Sequence, residues 1–195
     1  MITVGVDEVG RGCWAGPLVV GAVVLGSPIK GLKDSKKLSP KRRSQLAAII
    51  NKQALAVGLG WVEVAEVDRL GLTQSTRLAI TRALEQIKLK FDEIIIDGNV
   101  NFLFDDPRAK AVIKADDKIA EVSAASIVAK FARDSFMNTA ALSHPNYGFE
   151  KHVGYGTAQH IAALDQYGVC DLHRLSYKPI QSLLGITKQS LGRSI

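Results

Sequence analysis

Asp7 and Glu8 stand side by side at the end of a short apolar run, Ile2–Val6, and Gly10-Arg11-Gly12 follows almost at once. Adjacent carboxylates suit a hard divalent cation such as Mg²⁺ or Mn²⁺, and backbone N–H groups between glycines can approach a phosphate or a sugar closely. A strand end and a glycine turn hold such groups with little side-chain freedom to lose. The pairing points to phosphoryl chemistry on a nucleic acid. Taken alone it is equally the mark of a polar turn, so the weight falls on what the rest of the chain brings to the same place.

Two further apolar runs end the same way. Ile94-Ile95-Ile96 stops at Asp97, and Ala111-Val112-Ile113 stops just before Asp116. Three strand ends at one edge of a sheet would gather Asp7, Glu8, Asp97 and Asp116 into a shared acidic pocket. Crowded carboxylates repel one another and resist ionisation unless cations neutralise them. The set therefore reads as a site for two divalent ions, Mg²⁺ or Mn²⁺, which at about 4 Å apart would clamp the attacking water and the leaving oxygen of a phosphodiester. Asp117 adjoins Asp116, and periodicity does not choose between them. His144, His152, His160 and His173 show no zinc spacing and are expected to be surface or hydrogen-bonded histidines. Cys13 has no histidine close in sequence and is expected to pack rather than react.

The elements that must position these groups alternate between strand and helix. Ile2–Val6 and Leu18–Leu25 read as two paired strands, and Val57, Leu59 and Trp61 mark a third. Ser39-Pro40 opens a helix to about Ala54; Thr73 is expected to cap a second after a turn at Asp68–Gly71. Glu93–Asp97 and Ala111–Ile113 are short strands. A long helix follows from about Ile119 to Met137, its Ser123, Ala124, Ala125, Ser126 and Ala129 making a thin surface for close approach to the sheet. Thr157 and Gly168 bracket another helix, and Ile180–Leu184 a last short one before a polar tail. The pattern is α/β, with a mixed sheet that is antiparallel at first and then joined through helical crossovers.

The 195 residues carry a formal net charge of +6 and are 47% hydrophobic, enough for a packed core and suited to an anionic partner. Lys30, Lys33, Lys36, Lys37, Lys41, Arg42 and Arg43 oppose a single acid, Asp34, and make a phosphate-contacting strip beside the metal motif. Two distant cysteines, Cys13 and Cys170, fit a reducing cytosol. Without a signal-peptide pattern or a membrane-length apolar run, a soluble cytoplasmic monomer with no membrane partner is expected.

Ordered motifs then carry a resemblance. They are Asp7-Glu8-Val9-Gly10-Arg11-Gly12 with Ala15-Gly16-Pro17, Lys33-Asp34-Ser35-Lys36-Lys37-Leu38, Ile96-Asp97-Gly98-Asn99 and Lys114-Ala115-Asp116. Ser123-Ala124-Ala125-Ser126-Ile127-Val128-Ala129-Lys130 with Arg133-Asp134, Tyr147-Gly148-Phe149, Gly154-Tyr155-Gly156-Thr157 and His173-Arg174 complete the set. The chain resembles the ribonuclease HII family, the type 2 ribonucleases H, over essentially residues 3 to 185. The resemblance implies a ribonuclease H-like mixed sheet flanked by helices, in one catalytic domain spanning 1–195. The last ~40 residues would form a small helical, substrate-binding appendage. It also implies cleavage of RNA paired to DNA and of single ribonucleotides in duplex DNA, on their 5′ side. By position, Asp7, Glu8, Asp97 and Asp116 would hold the metals, Asp116 being preferred to Asp117. Gly10, Arg11 and Gly12 would sense the ribose 2′-OH, the group that separates RNA from DNA. Tyr155 would pack on the sugar at the RNA–DNA junction, and Ser35 and Lys36 would grip a phosphate. Three departures stand out: Cys13-Trp14 in place of a proline-led pair, Ala115 where glycine is common, and Asp117 where serine often sits.

Overall fold

The computed structural model describes residues 1–185; the polar tail expected after the last helix lies outside them. A five-stranded sheet is built from β1 (Thr3–Val9), β2 (Leu18–Val24), β3 (Ala56–Val62), β4 (Glu93–Asp97) and β5 (Ala109–Val112), in the order β3-β2-β1-β4-β5. β1 pairs antiparallel with β2, and β2 with β3; β4 then joins β1 in parallel, and β5 joins β4 in parallel. The antiparallel start and parallel continuation follow the sequence reading. β1 runs further than expected, because β2 keeps pairing with it through Asp7↔Gly21 and Glu8↔Val20. Both acids therefore sit within a strand, not beyond its end.

Alternation along each strand divides the core. Val4 and Val6 of β1, Val20 and Ala22 of β2 and Ile94 and Ile96 of β4 pack with α2 (Val64–Leu84) through Val67, Ala79, Ile80 and Ala83. Residues of opposite parity face α1 (Pro40–Gln53) and α3 (Ala120–Ser143), where Val23 meets Leu46, Ile50, Ala124, Ala125 and Ile127. Small residues on α3 meet glycines on the sheet. A Cβ on Gly5 would strike the Glu121 backbone, and one on Gly21 the Ala125 carbonyl. Sheet and helix thus approach at backbone distance, and the side chains at Asp7 and Ser126 are brought together.

Three elements differ from expectation. α2 starts at Val64, nine residues before Thr73, because Glu66 turns its carboxylate back to the Glu63 N–H (3.1 Å) and is itself held by Arg82 at 2.8 and 2.9 Å. The expected Asp68–Gly71 turn shrinks to one non-helical residue, Gly71 (φ 73°, ψ 163°), which kinks the helix. Asp68 instead accepts the Leu175 and Ser176 N–H groups at 2.9 and 3.0 Å, tying α2 to the C-terminal segment. α3 continues past Met137 to Ser143, and a one-turn α4 (Phe149–His152) was not anticipated. α5 (Ala158–Tyr167), capped by Thr157 and ended by Gly168, and α6 (Lys178–Leu183) lie close to where sequence put them.

Candidate active site

The parallel register Val6↔Ile96 sets the next residues, Asp7 and Asp97, beside each other on the face that looks toward α3. Asp7 is only 6% exposed. Its Oδ1 accepts the Glu8 N–H at 2.8 Å, and the Ser126 hydroxyl lies between the Asp7 carboxylate and Ser35 Oγ (2.8 Å). Burial pushes the Asp7 carboxyl well above the usual range, and the Glu8 and Asp97 charges add to it. Burial also raises Glu8, against the pull of Arg11, whose Nη1 is 3.2 Å from Glu8 Oε1.

Asp97 closes β4 and braces the turn that carries Asp116. Its Oδ1 accepts the Ala115 N–H at 2.7 Å and faces the Asp116 N–H at 3.5 Å. That turn, a single 3-10 turn over Ala115–Asp117, follows Lys114 in the left-handed region (φ 56°, ψ 43°). The left-handed residue is thus Lys114 and not Ala115, so alanine at 115 adds no backbone strain. Asp116 is 7% exposed, with its carbonyl bonded by the Ser123 hydroxyl; burial and then the Asp97 charge raise its carboxyl. Asp117 pairs with Lys37, whose Nζ lies 2.6 and 2.7 Å from its two oxygens and lowers its pKa. Asp116, which the resemblance prefers, sits with Asp97, and Asp117 makes a surface ion pair with Lys37 at the rim of the same depression.

Asp7, Glu8, Gly10, Arg11, Gly12, Ser35, Lys36 and Tyr155 line one cavity of about 440 Å³, joined by Ser126 and Lys130. Asp97 and Asp116 line the adjoining depression, and Lys36 borders both. Gly10 takes φ 95°, a conformation open to glycine, and a Cβ there would meet the Arg133 guanidinium. The Arg11 carbonyl is pulled inward, accepting the Tyr177 hydroxyl at 2.6 Å and Arg174 Nη1 at 3.3 Å. Tyr155 is 40% exposed, with Lys130 Nζ 5.9 Å from its ring centroid. Its hydroxyl meets the Cys13 thiol, which burial pushes up in pKa, the state of a packing cysteine. Ser35 is buried and bonded to Ser126, so Lys36 supplies the exposed charge of that pair.

Part of the basic strip is structural. Arg43 is buried, bonded to the Ser35 and Leu38 carbonyls and to Asp134 at 3.1 Å, while Lys30, Lys33, Lys36, Lys41 and Arg42 are exposed. Sequence reasoning gave no role to the two arginines that hold the glycine turn. Arg133 donates to the Pro17, Ala15 and Val153 carbonyls at 2.8–2.9 Å, and Arg174 to the Gly16 carbonyl at 2.7 and 3.0 Å. Both are fully buried, spending their charge on backbone carbonyls. Their appearance within ordered motifs was the available signal. Three histidines, His152, His160 and His173, are buried and hydrogen-bonded, and two form a directed chain. The Cys170 N–H donates to His173 Nδ1 (2.8 Å), His173 Nε2 lies 3.0 Å from His160 Nε2, and His160 Nδ1 donates to the Tyr155 carbonyl (2.9 Å). Burial pulls both down to about 4, so both are neutral.

A family model described as Ribonuclease HII matches residues 4–180. The ribonuclease HII of Dechloromonas aromatica (strain RCB) is 46% identical over 184 residues, covering 93% of each chain. That of Neisseria meningitidis serogroup C (strain 053442) is 45% identical over 186 residues, covering 94% of this chain and 96% of the relative. Among solved structures, ribonuclease H2 from Pyrococcus horikoshii OT3 is similar with a TM-score of 0.80 at 26% identity, over the whole of both chains. Fold and relatives together define an endonucleolytic ribonuclease H, a hydrolase of RNA/DNA hybrids with a ribonuclease H-like sheet. The chain belongs to the ribonuclease HII family.

Proposed function

We propose that Asp7, Glu8, Asp97 and Asp116 form a divalent-metal site that cuts the RNA strand of hybrids and also cuts duplex DNA on the 5′ side of a single ribonucleotide. The observation that carries this reading is the joining of the acidic edge to a cavity walled by Gly10-Arg11-Gly12 and Tyr155. The donor set fits Mg²⁺ or Mn²⁺: it is oxygen only, and three of its carboxyls are pushed upward by burial and mutual repulsion that a cation would relieve. Among the described residues, no three of these carboxylates bring oxygens within 4.8 Å of one another.

Bound there, the cations would offset charge building on the phosphate oxygens and make water a stronger nucleophile at neutral pH. The protein's own groups do the rest. N–H groups of the glycine turn meet the ribose 2′-OH, their direction set by the inward-held Arg11 carbonyl. Tyr155 packs its exposed ring on the neighbouring sugar, and Lys36, with Ser35 beside it on the wall, meets a backbone phosphate. Water attacks phosphorus in line, the P–O3′ bond breaks, and a proton passes to the departing 3′ oxygen. The products carry 5′-phosphate and 3′-hydroxyl ends, with no covalent enzyme intermediate. The protein acts as a cytoplasmic monomer. No helix among the described residues is long and apolar enough to cross a membrane.

The test is an end-labelled DNA duplex bearing one ribonucleotide, incubated with Mg²⁺, Mn²⁺ or EDTA beside an all-DNA control. A metal-dependent cut immediately 5′ of the ribonucleotide, strongly slowed by Tyr155→Ala, is expected. Cleavage of long hybrids but not of this duplex would overturn the single-ribonucleotide reading.

A further inference from the structure

Away from the acidic edge, three unlike metal-ligating side chains converge at the far end of α3. His144 caps that helix at its C-terminus, and Cys170 and Asp171 lie in the segment between α5 and α6. An imidazole nitrogen, a thiol sulfur and a carboxylate oxygen all fall within 4.8 Å of one another. No sequence spacing announces them, since the ligands come from separate segments that only the fold joins.

The imidazole is aimed from behind. His144 Nδ1 lies 3.1 Å from the Ala140 carbonyl, which fixes its proton there and leaves Nε2 of the neutral ring presenting a lone pair. That lone pair faces Asp171 Oδ1, another acceptor, at 2.9 Å. Two acceptors at hydrogen-bond distance need either a second ring proton or a cation between them. The Cys170 thiol shares the same carboxylate. A ring proton and the thiol proton would satisfy these two contacts at the carboxylate, whereas a metal would displace both protons and take all three groups as ligands.

The geometry points to a zinc-class site, with His144 Nε2, Cys170 Sγ and an Asp171 carboxylate oxygen as ligands and one position open to water. Nitrogen, sulfur and a single carboxylate are zinc's donors and unlike the oxygen-only set at the sheet edge. Zinc bond lengths in a tetrahedron separate ligand atoms by roughly 3.4–3.6 Å, so Asp171 need only swing outward slightly. Its side chain is 79% exposed and free to do so. A bound ion would staple the 169–174 segment to the end of α3. That segment carries Arg174, which holds the Gly16 and Arg11 carbonyls, so the staple would stiffen the glycine turn from behind.

Cobalt(II) serves as the probe, added to the full-length protein in excess Mg²⁺ so that the oxygen-only edge is already supplied. The expected result is a near-ultraviolet sulfur-to-cobalt charge-transfer band, displaced by one equivalent of Zn²⁺. The band should persist in Cys13→Ala, disappear in Cys170→Ser and weaken sharply in His144→Ala. Zn²⁺ should raise the Tm of the native protein and not of Cys170→Ser, while hybrid cleavage in Mg²⁺ by Cys170→Ser shows that the variant folds. No band, a band that survives Cys170→Ser, or one indifferent to His144→Ala would overturn the site and leave a histidine–aspartate ion pair.

Discussion

Asp7 is a carboxylate buried in an apolar strand, with Glu8 next to it and Asp97 across the sheet, and that placement opposes folding until a cation neutralises it. An acid whose folded pKa is raised loses stability as pH rises through that raised value, because the unfolded chain ionises more easily. Without metal at neutral pH, Asp7→Asn should therefore melt above the native protein, by about 2–4 °C for each ~1 kcal/mol relieved. Added Mg²⁺ should raise the native Tm and leave the variant's little changed; a variant less stable than native in EDTA would contradict this. The four acids were legible because each follows an apolar run. Periodicity did not choose between Asp116 and Asp117, and only the resemblance preferred Asp116; their different surroundings depend on a left-handed Lys114 and on Lys37, which is far away in sequence. Ser126 was hidden inside a run that reads only as small residues.

The elements carry information of a different kind. The Ser-Ala-Ala-Ser stretch announced a thin helix face, and the glycines of β1 and β2 complete that contact from the other side. Gly21→Ala should accordingly destabilise by at least ~1–3 kcal/mol, as overpacking does, and more because its Cβ meets backbone that cannot yield. A urea midpoint lowered without a change in slope would report it, and an unchanged midpoint would refute the close approach. The second helix was misplaced because Gly71 and Thr73 look like a turn and a cap, while the true start rests on a Glu66–Arg82 pair spanning most of the helix. Buried arginines are equally unreadable. Arg133 and Arg174 resemble surface charge in sequence, and only the packed turn shows the carbonyls they satisfy.

For the molecule as a whole, charge and pH set working conditions. Arg43 and Lys37 are engaged by Asp134 and Asp117, so the phosphate-facing surface is narrower than the basic strip implied. The histidine chain gives the fold a lower pH limit. His160 and His173 are held neutral, pulled from 6.5 to about 4, with His152 stacked on His160 at 4.4 Å between ring centroids. Their contribution is fully present above pH 6.5 and is lost as pH falls toward 4, on the order of 2–3 kcal/mol for the first proton. Thermal melts from pH 7 to 4 should show this fall in the native protein and a flatter one in His173→Gln. Equal slopes would place the acid sensitivity elsewhere.

The most direct measurement is single-turnover cleavage of an RNA/DNA hybrid by native protein and by Asp97→Asn at saturating Mg²⁺, with hybrid affinity measured alongside. Loss of several kcal/mol of charge stabilisation predicts a rate at least ~10³-fold lower with affinity nearly unchanged. Cleavage at the native rate by the variant would contradict the carboxylate site on which the account rests.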